Sequence, residues 1–144
     1  MSLSYKAIKT SVSLCVLNWK PCLINTSFNS RHDIINAFTN KNNKYLEIGV
    51  EYGYTFNNTH FVSKTGVDPD PKFDNISLIK HTSNDYFKSI NQNDKFDVIF
   101  IDGLHKAKQF GRDIKNALNI LNDGGYIICH DVNPHNEIMQ KVPR

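Results

Sequence analysis

The stretch Phe96-Asp97-Val98-Ile99-Phe100-Ile101-Asp102-Gly103-Leu104-His105 sets the reading of this chain. Phe96 to Ile101 is an apolar run of the kind buried on both faces, and so points to a parallel sheet covered by helices. The run breaks into Asp102-Gly103 at what would be the strand's carboxyl end. From His105 to Leu121 the period changes. Ala107, Phe110, Ile114, Ala117, Leu118 and Leu121 are spaced by three and four, which predicts an amphipathic helix. Asn122-Asp123-Gly124-Gly125 is expected to stop that helix, because glycine takes the left-handed cap without steric cost. Tyr126 to Cys129 reads as the next strand, ending in His130-Asp131. Strand, helix and strand in this order imply parallel strands joined by a right-handed crossover.

The alternation extends back to Ser30. Arg31 to Asn40 reads as a short helix, with Ser30 as N-cap and Ile34, Ile35 and Phe38 on one side. Tyr45 to Ile48 is a short strand ending in Gly49-Val50-Glu51-Tyr52-Gly53, where another helix starts. Thr65 to Val67 is a second strand, ending in Asp68-Pro69-Asp70-Pro71, and Ile76 to Lys80 a third. A helix through Asp85, Tyr86, Phe87 and Ile90 follows. The fold class expected for residues 30–144 is α/β, a Rossmann-like doubly wound parallel sheet of about five strands. Residues 1–29 are read as a separate extension. Val12, Leu14 and Val16 alternate with Ser11, Ser13 and Cys15 as in a strand, Lys20-Pro21 would turn it toward Cys22-Leu23-Ile24, and a frayed tail is the alternative.

Composition narrows the function classes. A chain of 144 residues, 40% hydrophobic and 11% aromatic, can bury one core. No run approaches the ~20 apolar residues of a membrane span. Ser11 to Trp19 is too short and too broken for a signal peptide and lacks a small-residue cleavage site. Three cysteines, Cys15, Cys22 and Cys129, are odd in number and contain no C-x-x-C, which argues against a disulfide scaffold and a thiolate zinc site and fits a reducing cytoplasm. Residues 1–45 carry six Lys/Arg against Asp33 alone, but the bases are scattered, and no basic-aromatic cluster marks a nucleic-acid partner.

In an open parallel sheet, ligands bind beyond the carboxyl ends of the strands, and there this sequence collects its Gly, Asp and His residues. Gly49 and Gly53 would let backbone approach a ligand. Glu51 stands where a dinucleotide fingerprint needs glycine, which weighs against a nicotinamide-dependent oxidoreductase and suits a ligand with a positive centre. Asp68, nineteen residues after Gly49, can accept both hydroxyls of a ribose, with Asp70 as the fallback. Asp68 also suits a turn or cap. Ser83-Asn84-Asp85 adds polar groups on the third loop. Asp102 and Asp131 would end adjacent strands and face one another, a donor set for Mg²⁺ or Mn²⁺ that could lower the pKa of a substrate hydroxyl. Helix capping is the alternative for both. His105 and His130 are both candidates for a general base, and the residues alone do not separate them.

The segments Tyr45 to Phe56, Gly66 to Pro71, Phe96 to His105, and Asp113 to Leu118 running into Gly124 to Asp131 together resemble class I S-adenosylmethionine-dependent methyltransferases. The specific likeness is to the bacterial branch with Asp-Gly-x-His and His-Asp strand ends, related to macrocin-type O-methyltransferases, and it covers about residues 31–144. The resemblance implies that Glu47, Gly49 and Gly53 line the methionine part of S-adenosylmethionine, that Asp68 takes the ribose and that Ser83 lies near the adenine. Asp102 and Asp131 match the metal positions of metal-dependent relatives, although His130 stands where those relatives often carry a second acid. The family fold finishes in a C-terminal antiparallel hairpin, for which the thirteen residues after Asp131 are too few. The sheet edge so exposed would be covered by the segment before Asn29 or by a second subunit in a homodimer. The expected activity is O-methylation of a small-molecule or sugar hydroxyl, with Asp102, His105 and His130 as catalytic residues. A non-catalytic module of the same fold, acting through association, is the competing reading.

Overall fold

The structure is a computed structural model that describes residues 4–8, 14–18, 28–40 and 43–131. Its strands are β1 (Ser4–Ile8), β2 (Leu14–Asn18), β3 (Lys44–Ile48), β4 (Ser63–Val67), β5 (Leu78–Ile79), β6 (Phe96–Ile101) and β7 (Leu121–His130). Its helices are α1 (Arg31–Asn36), α2 (Tyr54–Asn58), α3 (Ser83–Ser89) and α4 (Ala107–Asn119). The strands form one sheet in the order β1-β2-β7-β6-β3-β4-β5. From β7 to β5 every neighbouring pair is parallel, which gives the five-stranded doubly wound unit expected from the sequence. The winding reverses at β3: β4 and β5 build out on one side, β6 and β7 on the other.

Alternation along β6 divides the core between two faces. Ile99 and Ile101 pack with Leu46, Ile48, Tyr86, Phe87, Ala117 and Ile120, beneath α3 and α4. Val98 and Phe100 pack on the opposite face with Ile34, Ile35, Phe38, Tyr45, Phe56 and Phe61, beneath α1 and α2. A strand buried on both faces has no polar side, which is why the Phe96–Ile101 run reads as continuous. α1 and α2 are tied by Asn36, whose Nδ2 donates to Asn58 O (3.0 Å) and whose Oδ1 accepts from His60 N (2.9 Å). No helix among the described residues is long and apolar enough to cross a membrane.

Three local expectations need correction. The first helix ends at Asn36 rather than Asn40, although Ser30 caps it as expected by accepting from Asp33 N at 3.2 Å. The third parallel strand is only Leu78–Ile79, and Ile76 is fully exposed. Asn122 to Gly125 do not stop α4 as a glycine cap. Ile120 ends that helix, and residues 122–125 form an irregularity within β7, where Phe96 pairs Leu121 but Val98 already pairs Tyr126. Asp97 pins it by accepting from Asn122 Nδ2 and Lys44 N, both at 2.7 Å. A left-handed Gly124 serves either a cap or such a bulge, so the residue type did not discriminate. Of the two covers expected for the open edge, the structure shows the segment before Asn29 on β7. β2 pairs with it antiparallel from Leu14↔His130 to Asn18↔Tyr126, and β1 pairs with β2. The segment before Asn29 therefore supplies the antiparallel hairpin that the resemblance placed at the C-terminus. Cys22-Leu23-Ile24 and the residues after Asp131 lie outside the described residues.

Candidate functional site

Register places the site. Ile48 pairs Val67 on one side and Ile101 on the other, and Ile101 pairs Cys129. The next residues along these four strands, Asp68, Gly49, Asp102 and His130, therefore emerge side by side at the carboxyl edge. The gap lies where the winding reverses, between β3 and β6. There Gly49 (φ +85°) lies so close to the neighbouring loop that a Cβ would sit 2.4 Å from Asp102 O. Any side chain would force the two strand ends apart. A cleft of about 800 Å³ opens over this edge, lined among others by Arg31, Gly49, Glu51, Asp68, Ser83, Asp102, His105 and His130. Tyr52, Tyr54 and Leu104, all largely exposed, add apolar surface to its walls.

Asp102 is the hub. His130 Nδ1 lies 2.8 Å from its Oδ1, His105 Nε2 lies 3.5 Å from the same oxygen, and Arg31 Nη1 donates to its Oδ2 at 2.5 Å. A carboxylate can only accept, so Nδ1 donates in the His130 contact, and in the neutral imidazole Nε2 is then the acceptor. His130 is held on strand β7 and is 18% exposed, whereas His105 precedes α4 on a loop and is 46% exposed. Among the described residues, Asp102, His105 and His130 also form a group whose potential ligand atoms all lie within 4.8 Å of one another.

Asp68 carries a structural load that the sequence assigned to its alternative reading. Its Oδ2 accepts from Val50 N (3.1 Å) and Glu51 N (2.9 Å), and its Oδ1 accepts from Asp70 N (2.8 Å). These bonds hold the Gly49 loop to the end of β4. A carboxylate has about four acceptor sites, so Asp68 keeps one for a ligand hydroxyl rather than two.

Three expected site residues fall elsewhere. Glu47 does not line the cleft. Strand alternation turns it away from Leu46 and Ile48 to the α1 and α2 face, where it is 2% exposed and accepts from Tyr45 Oη at 2.6 Å. Burial pushes its carboxyl up to about 8, against the opposing effect of the Tyr45 bond. Gly53 (φ +72°) is the residue before α2, where a Cβ would meet the Phe73 ring at 2.4 Å, so its missing side chain makes room for Phe73. Asp131 is not opposite Asp102, because the register gives that place to His130. Its carboxylate is half exposed, with Oδ2 3.4 Å from His130 Nδ1. Ser83 does line the cleft, at the start of α3 behind the Thr82 cap.

The sequence reading missed the other wall. Gln109 and Asp113 are buried on α4, and Gln109 Nε2 faces Ser83 Oγ (3.1 Å), Asn84 Oδ1 (3.1 Å) and Asp113 Oδ1 (2.9 Å). Burial holds the Asp113 carboxyl above its usual range, with the Ser83 and Gln109 bonds opposing. Positions 109, 113 and 117 are four apart, so the buried line through Ala117 was the available signal. Arg31 had no such signal, since 71 residues separate it from Asp102.

A family model described as "Methyltransferase domain" matches residues 46–132, the span from within β3 through β7 that includes all of the strand ends above. Searches among curated proteins and among solved structures found no match.

Proposed function

The chain belongs to the methyltransferase-domain family, and from that premise we propose that it moves a methyl group from S-adenosylmethionine to a hydroxyl of a small molecule or sugar. The observation that carries this reading is the Asp102–His130 pair at 2.8 Å, facing the same cleft that Asp68 lines. A proton acceptor and a nucleoside-binding carboxylate share one pocket.

The cofactor fits the residues present. The cleft volume of about 800 Å³ is that of a site for a ligand of this size. Asp68 Oδ1 has an acceptor site for a ribose hydroxyl, and Ser83 and Asn84, steadied by Gln109, supply polar groups for a base edge. Glu51 lines the cleft as a carboxylate that suits a ligand carrying ammonium and sulfonium charges. When bound, S-adenosylmethionine supplies an electrophilic methyl group. His130 Nε2 takes the proton of the acceptor hydroxyl, and Asp102 stabilises the imidazolium so formed and holds its ring in place. Tyr52, Tyr54 and Leu104 offer apolar surface for the acceptor's body, and holding it in line contributes much of the rate.

The divalent cation implied at Asp102 and Asp131 fits poorly. Oδ2 of Asp102 is engaged by a guanidinium and Oδ1 by His130, whose Nδ1 the Asp131 carboxylate also approaches at 3.4 Å. The test is transfer of labelled methyl from S-adenosylmethionine to a panel of hydroxyl compounds. His130→Gln is expected to lose about 100-fold or more in turnover while binding S-adenosylhomocysteine as wild type does. Undiminished turnover in that variant removes His130 from the mechanism. A wild-type protein that neither transfers label nor binds the product removes the methyltransferase reading.

A further inference from the structure

Arg31 stands at the first position of α1, a helix seated by Ile34 and Ile35, both fully buried, and capped by Ser30. The guanidinium is thus delivered from an anchored element to Asp102 Oδ2 at 2.5 Å, with both side chains largely shielded from water. It is planar, permanently charged and less hydrated than an ammonium, the properties that favour a partly buried pairing with carboxylate. His105 and His130 approach the other oxygen, so a positive group and two imidazoles surround one carboxylate.

We propose that Arg31 is the resident cation of this cleft, standing where a divalent ion would otherwise bind Asp102 and excluding that ion by its charge. In this role it is a positioning residue. It holds Oδ2 of Asp102 and so fixes the carboxylate for the bond that Oδ1 makes with His130. A divalent ion coordinated by Asp102, His105 and His130 would have to displace the guanidinium, because two cations at contact distance on one carboxylate repel each other. The chemical sense rests on the methyl-transfer reading above, but the exclusion of metal does not, so the two can fail separately.

The experiment is a titration of the full-length protein with Mn²⁺, followed by the loss of the free-ion paramagnetic resonance signal. Wild type is expected to bind Mn²⁺ only weakly, while Arg31→Ala and the polar, uncharged Arg31→Gln bind at least tenfold more tightly. Arg31→Lys, which keeps the charge, should behave as wild type. The gained affinity should vanish when Asp102→Ala is added to Arg31→Gln. Wild-type binding as tight as in the uncharged variants overturns the proposal, and so does the absence of any gain in a folded Arg31→Gln. Calorimetry with S-adenosylhomocysteine on the same samples reports the methyl-transfer reading independently.

Discussion

Glu47→Gln probes whether the acid in the first parallel strand serves the cleft or the core. Glu47 is 2% exposed, and burial lifts its carboxyl from 4.5 to about 8. Between those values the folded protein keeps a proton that the unfolded chain has released. The unfolded state then binds fewer protons, so stability falls as pH rises through the window. At about 1.36 kcal/mol per pH unit, the loss reaches roughly 2 kcal/mol by about pH 6 and roughly 4 kcal/mol by about pH 8, then levels off. Glutamine has no proton to lose and keeps an oxygen for the Tyr45 hydroxyl. Whatever constant offset the amide imposes, the variant should gain on wild type by about 1.4 kcal/mol per pH unit between about pH 5.5 and 7.5. Urea unfolding across that range, with slopes checked for equality, measures the gap. A gap that does not change with pH would show that Glu47 ionises freely in the fold and would refute the burial argument. Because the side chain lies outside the cleft, affinity for S-adenosylhomocysteine should stay within about threefold of wild type, a free-energy change below ~1 kcal/mol.

Two glycines should respond in opposite directions. Gly49→Ala places a Cβ 2.4 Å from Asp102 O on a backbone at φ +85°, and combined strain and overpacking should cost about 3 kcal/mol in urea unfolding. A loss below about 1 kcal/mol contradicts the close approach of the two strand ends. Gly111 lies inside α4 with nothing within 4 Å of its would-be Cβ, so Gly111→Ala should raise stability by about 0.5–1 kcal/mol. A decrease on the same unfolding curve would contradict the open surface assigned to that position.

Much of the frame could be read from periodicity. Phe96 to Ile101 was expected as a strand and is β6 residue for residue, because a doubly buried strand advertises itself without reference to anything distant. The edge where Asp68, Asp102 and His130 meet also followed from one general rule about parallel sheets. What escaped depends on register and long-range contact. Whether His130 or Asp131 faces Asp102 turns on the pairing of Ile101 with Cys129, which no local pattern reveals. Glu47 shares the parity of Tyr45 and is buried with it, but a carboxylate near a glycine loop suggests a ligand more readily than a core position. Arg31 looked like one base among several in a positive leading segment. Its role exists only once α1 folds back over the end of β6.

The claim on which the rest depends is that this cleft takes a methyl-donor nucleoside at Asp68. Calorimetric titration of the folded protein with S-adenosylhomocysteine, with and without Mg²⁺, tests it without needing an acceptor. The account predicts saturable one-site binding that Mg²⁺ leaves unchanged. In Asp68→Ala that binding should weaken by at least tenfold, about 1.4 kcal/mol, through loss of the hydroxyl acceptor and of the bonds to Val50 and Glu51. No saturable heat from folded wild-type protein at millimolar ligand would contradict it.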